Sequence, residues 1–192
     1  SMGRLIRLRS TIARPADATA YAAGDEISNS ATAGSVVRPT FNFAGFTRGR
    51  ITSCEVDLTA ASGDIVTTAA NFEVMLFRTA EVPAAVGDNV THPITAVQRA
   101  TSIGDFTLDD TGWTGPLGTV AAGTSQYQGV TAHFVQPTAT PVLQYPHPQG
   151  YYFDFTGQAT PTMTAIVRAL AAWTPLGVVN TFGITLNIEI EE

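Results

Sequence analysis

Hydrolytic and metal chemistry relies first on histidine, and this sequence has three, His92, His133 and His147. They lie far apart, and none has a second ligand at the spacing of a metal motif. His92 and His147 each precede proline among turn-forming residues, so both read as solvated loop positions. His133 falls in a strand pattern, where only a facing Asp would make it a ligand or base. A catalytic serine would need a sharp Gly-flanked elbow, and AGTSQYQG does not supply one. A phosphate-binding loop needs its lysine, and the chain has no lysine at all. Asp109 and Asp110 form an adjacent acid pair, but neighbours on a strand point to opposite faces. LDDTGW therefore reads as a turn rather than a hydrolytic pair or a calcium loop. The single cysteine, Cys54, excludes an internal disulfide and reads as a buried thiol rather than a nucleophile. No motif calls for a metal or a cofactor, and the expectation is a protein that is not an enzyme.

Two groups of residues remain. The stretch TAYAAGDEISNS predicts a turn: Tyr21 covers a sheet edge, Gly24 takes a positive φ, and Asp25 accepts backbone N–H groups. Ile27 then starts an inward-facing strand. The aromatic residues Trp113, Tyr127, Tyr151 and Tyr152, with Tyr145 and Trp173, offer either a sugar-stacking platform or core and interface packing. The second reading is favoured; the first leaves glycans as an alternative partner through the middle loops.

The elements that position these residues follow from composition and period. A chain of 192 residues is long enough for one domain with a proper core, taken as residues 3–192 after a Ser-Met cloning scar. Charged residues make up 14%, below the roughly 25% of ordinary soluble proteins, so Thr, Ser, Asn, Gln and Gly must form much of the surface. The net charge of −6 argues against non-specific nucleic-acid binding. No apolar run approaches the ~18 residues of a membrane span, and the basic start has no apolar signal core, so synthesis in a cytoplasm is expected.

Alternation with period two dominates. Ile6, Leu8 and Ile12 alternate with Arg7, Arg9 and Thr11; Cys54, Val56 and Leu58 with Ser53, Glu55, Asp57 and Thr59. In TFGITLNIEIE the residues Phe182, Ile184, Leu186, Ile188 and Ile190 share one face. Weaker strands are expected at VVRPTFNFAGF, NFEVMLFR, GDFTL, YQGVTAHFVQ, YYFDF and TMTAIVRAL, and no segment carries a convincing helical period. TAIVRALAAW permits a helical turn, but its Thr, Ile and Val favour a strand. Many short strands between turn signals predict an all-β fold, an antiparallel β-sandwich of jelly-roll type. Residues 79–125 and the proline-rich PTATPVLQYPHPQG are the irregular stretches.

The first strand is arginine-rich (Arg4, Arg7, Arg9, Arg14), and the last is acidic (Glu189, Glu191, Glu192). These strands are expected to pair, or to meet across subunits, with opposite charges facing. Arg4–Arg14 is thus a first strand or a contact arm.

The order of several motifs resembles a family of small virion structural proteins of tailed bacteriophages. It consists of Pro15, Asp17, Tyr21, Gly24 and Asp25 followed by Ile27, Ser28 and Ser30; then GRITSCEVDL; then NFEVMLF with Pro83, Asp88 and Asn89; and a closing FGITLNIEI. The resemblance covers residues 4–90 and the last strand, and is weak from 100 to 160. It implies a β-sandwich protein displayed on the virion, a capsid decoration or head-associated protein without catalytic residues. Its implied partners are itself, as a homotrimer, and the major capsid protein. A host-recognition or carbohydrate-binding module is the alternative.

Overall fold

The computed structural model describes residues 3–61, 71–108, 124–135, 150–175, 177 and 179–191; over 59–61, 108 and 124–135 only backbone is considered. Among the described residues there are nine strands: β1 (Arg4–Arg14), β2 (Thr40–Asn42), β3 (Arg48–Ala61), β4 (Phe72–Arg78), β5 (Gly104–Leu108), β6 (Thr124–Val135), β7 (Tyr151–Asp154), β8 (Thr162–Ala169) and β9 (Asn180–Ile190). One short helix, α1 (Ala96–Ala100), and single 3-10 turns at Ala33–Ser35 and Thr79–Glu81 complete the described elements.

The pairings define the winding. β1 pairs with β9, β2 with β8, β3 with β6 and β4 with β5, all antiparallel. The first half of the chain thus pairs with the second half in reverse, like one long hairpin. Rolling that hairpin up adds the contacts β3–β9 and β4–β8. The result is two sheets, β1-β9-β3-β6 and β2-β8-β4-β5, the strand order of a jelly roll. β6 serves both sheets. Its Thr124–Ala132 stretch pairs with β3, and His133–Val135 turns onto β5. Where β6 leaves, β7 takes over the margin of β3, along Arg48–Ile51.

Alternation decides which side chains meet between the sheets. Cys54, Val56 and Leu58 of β3 and Phe182, Ile184, Leu186 and Ile188 of β9 face Phe72, Val74, Leu76, Met163, Ala165 and Val167 across one core. Ile51 joins the same face although it lies three residues before Cys54. A bulge between Ile51 and Ser53 absorbs the extra residue and restores the parity. Phe43, Phe153 and Phe155 close one end, with Phe43 and Phe153 edge-on at 4.8 Å. TAIVRALAAW is strand through Ala169. The sequence reading overlooked α1, whose signal is the capping box Thr95-x-x-Gln98: the Thr95 side chain accepts from Gln98 N, and Gln98 closes the box in return.

Cys54 is fully buried, and burial raises its thiol pKa far above the ordinary value. The thiolate is the reactive form, so alkylation must wait for unfolding. Iodoacetamide is expected to leave the native protein unlabelled and to label one site in denaturant. Rapid native labelling would contradict this packing.

Candidate functional site

The Gly-Asp stretch is a turn, as its residues predict: Gly24 has φ +93°, and Asp25 accepts from Ala22 N at 2.7 Å. It is also half of a larger arrangement. Ile27 points into the core, but no regular strand starts there; Asp25 and Glu26 make isolated bridges to Thr91 and Arg168. Residues 24–27 and then 89–92 continue sheet two beyond β8. Ile27 N donates to Val167 O, Glu26 N to Val90 O, and His92 N to Gly24 O.

This brings two distant motifs into one polar knot. Tyr21 is buried, stacked on Trp173 at 5.4 Å. Its hydroxyl donates to Asp88 Oδ1 at 2.7 Å and accepts from Arg14 Nε at 3.0 Å. The same Asp88 oxygen accepts from Ser28 N, while Arg14 also reaches Asp17. Burial pushes both the Tyr21 hydroxyl and the Asp88 carboxyl above their ordinary values. Tyr21→Phe strips Asp88 and Arg14 of a buried partner and is expected to cost about 1–3 kcal/mol. Urea denaturation checks this; a change within ~0.5 kcal/mol of zero, the range of ordinary surface substitutions, would contradict it.

A second network lies beside it, on the face of β4 and β8 turned away from the main core. Glu26 has no exposure, and Arg38 grips it with two bonds of 2.7 and 3.0 Å. His92 Nδ1 donates to Glu26 Oε2 at 2.7 Å. The His92 carbonyl accepts from Arg168, which also pairs with Glu73. Arg99 of α1 pairs with Glu73 and Asp105. Burial, and next the Glu73 carboxylate, hold Asp105 above the ordinary carboxylate range although Arg99 opposes them. These charges pin the connections before β2 and after β4 onto the sheet, around a small apolar cluster of Met75, Phe77 and Ile166. His92 is therefore no solvated loop residue; it is 2% exposed. Its missed signal was the acid 66 residues earlier, which no local pattern connects to it.

The arginine-rich first strand pairs with the acidic last strand, as expected, but the charges meet other partners. Arg7 and Arg9 reach over β9 to Glu55 and Asp57 of β3. Gly183 lies under this crossing, and a side chain there would collide with Arg9 and Asp57. Glu189 pairs with Arg50 at 3.5 Å. Glu191 donates its N–H to Arg48 O. Arg14 is buried at 1% exposure and belongs to the knot, not to a contact surface. Arg4 is exposed and makes no ion pair among the described residues, and Leu5 beside it is 75% exposed. β1 pairs with β9 along one edge and with no described strand along the other.

The aromatic candidates separate. Tyr151 is buried at 5% exposure, and its hydroxyl donates to Asp105 O at 2.7 Å, so it cannot serve a ligand platform. Tyr152 is 53% exposed. Tyr127 lies on β6, where only backbone is described, and Trp113, Asp109, Asp110, Tyr145, His147 and Glu192 lie outside the described residues. Among the described residues no cluster of three or more His, Cys, Asp or Glu is placed to hold a metal, and no helix is long and apolar enough to cross a membrane.

No family model matches the sequence, and no curated protein matches it. Solved structures similar to it include the decameric capsid protein of beak and feather disease virus, at 12% identity and TM-score 0.30, covering 98% of this chain and 99% of that one. The native virion of Kashmir bee virus aligns at 9% identity and TM-score 0.31, over 98% of this chain and 73% of that chain. Turnip yellow mosaic virus aligns at 10% identity and TM-score 0.24, over 99% and 95%. Superposition and identity this low assign neither a family nor a role.

Proposed function

We propose that this chain is a structural subunit of a tailed-bacteriophage virion, a decoration protein that binds the outside of the head and stabilises the shell. The observation that carries the reading is the margin formed by β1. It is an 11-residue strand at the end of its sheet, paired with no described strand along its outer edge, met there by Thr40 of β2 at Ser10, and bearing the exposed Arg4 and Leu5. Soluble proteins blunt or cover such edges, because an open strand accepts another chain. The motif order set out above favours a phage virion. A jelly roll fits that role but hosts lectins and other functions too, so fold alone does not decide it.

On this reading the mechanism is mechanical. Made in the host cytoplasm, the subunit closes into a homotrimer and bridges neighbouring copies of the major capsid protein. Attachment buries the β1 margin and raises the barrier to shell rupture. Arg7 and Arg9 are already held by Glu55 and Asp57, so Arg4 and Leu5 are the contact residues that a partner finds free. The test is the double variant Arg4→Glu, Leu5→Asp, mixed with capsids stripped of the protein. Capsid occupancy is expected to fall at least ~10-fold, equivalent to about 1.4 kcal/mol, with the melting temperature unchanged. Full occupancy would reject the margin as the contact. A monomer that persists in light scattering at micromolar concentration would reject the trimer.

A further inference from the structure

Seven of the ten arginines form ion pairs with described acids. Of the other three, Arg4 and Arg48 are exposed, where water screens an unpaired charge. Arg78 is different. It is half-buried at the end of β4, its Nε is enclosed, and that nitrogen has no hydrogen-bond partner. One terminal nitrogen donates to the Asp154 carbonyl at 3.3 Å, and the guanidinium lies 5.9 Å from the Phe155 ring. The nearby Asp154 carboxylate accepts from Thr156 N at 2.8 Å and acts on Arg78, as on Arg48, through space without an ion-pair contact to Arg78 among the described residues. A partly desolvated cation that no described carboxylate touches is only partly compensated, so the position suits an anionic occupant.

Arg78 lines a cleft of about 360 Å³ between the end of β4, the segment after α1 and β7. That is within the roughly 300–1,000 Å³ of small-molecule sites. Thr101, Ser102, Glu81 and Tyr152 also line it. The Ser102 hydroxyl is a second buried polar atom with no partner. We propose that this cleft binds an acidic saccharide: Arg78 takes the carboxylate, Ser102, Thr101 and Glu81 take ring hydroxyls, and Tyr152 offers its exposed ring to the sugar face. A protein carboxylate would use the cation alone. Sugar hydroxyls both donate and accept, matching a cleft that sets hydroxyls and a carboxylate beside the guanidinium.

The test is a titration of the full chain with glucuronate, glucose and acetate, followed by amide and arginine side-chain NMR shifts. Glucuronate is expected to bind with Kd of about 1 mM or tighter, shifting Arg78, Thr101 and Ser102, and glucose and acetate at least ~10-fold more weakly. Arg78→Gln and, independently, the surface change Tyr152→Ala are each expected to weaken glucuronate at least ~10-fold. Tyr152→Ala and Ser102→Ala carry the test if Arg78→Gln does not fold. No shift with glucuronate at ~10 mM overturns the proposal. Acetate binding as tightly as glucuronate also overturns it, and makes a neighbouring protein's carboxylate the occupant.

Discussion

Glu26→Ala is expected to lower stability by about 3–5 kcal/mol, because it leaves Arg38 and the Nδ1–H of His92 buried without their acceptor. Few substitutions outside the main core should cost as much. The same carboxylate gives the fold an acid limit. Burial alone would raise the Glu26 pKa, but hydrogen bonds from His92 and Arg38 outweigh it and hold the value below 4.5. A carboxylate held low in the fold binds protons more readily when unfolded. Its contribution is therefore complete above pH 4.5 and is lost as pH falls below it. Urea unfolding of the wild type and Glu26→Ala between pH 7 and pH 3 checks both statements. The gap between the two proteins should be largest at neutral pH and narrow in acid. A gap under ~1 kcal/mol at pH 7, the value of an exposed pair, would contradict the account.

Gly87→Ala is the second large effect. Gly87 has φ +111°, and a Cβ placed on it would run into the backbone carbonyl of Ala31. The next residue, Asp88, donates its N–H to Ser30 O at 2.7 Å and holds Tyr21 and Ser28 with its side chain. An added methyl must therefore separate the two connections that form the knot. Backbone strain of about 1–3 kcal/mol and overpacking of about 1–3 kcal/mol give roughly 2–6 kcal/mol in all. Calorimetry of the variant measures it. Stability within ~0.5 kcal/mol of the wild type, as for a neutral surface site, would show that the connections do not pack as described.

These two predictions mark the boundary of what the sequence reveals. The strands were legible because alternation is local: Cys54, Val56 and Leu58, or Phe182 through Ile190, display their buried face without reference to any partner. The jelly roll was legible for the same reason: short alternating strands between turns specify two antiparallel sheets around one core. The polar knot was not legible. Tyr21 and Asp88 are 67 residues apart, and nothing local tells a buried Asp from a turn Asp. His92 before proline looked solvated for the same reason. The charge asymmetry of the first and last strands was visible, but β9 lies between β1 and β3, and the longer arginine side chains reach across it. Tyr21 and Asp88 meet in this knot, and Gly24, Asp25 and Asn89 lie on the two segments that it joins.

The proposed decoration role is tested most directly by the copy number of this protein in purified virions, measured by quantitative mass spectrometry against the major capsid protein. A head-decoration subunit predicts a fixed ratio that matches the symmetry of the capsid lattice, and particles stripped of it should rupture at lower temperature. A handful of copies per particle would contradict that role and move the protein to the tail or a single vertex.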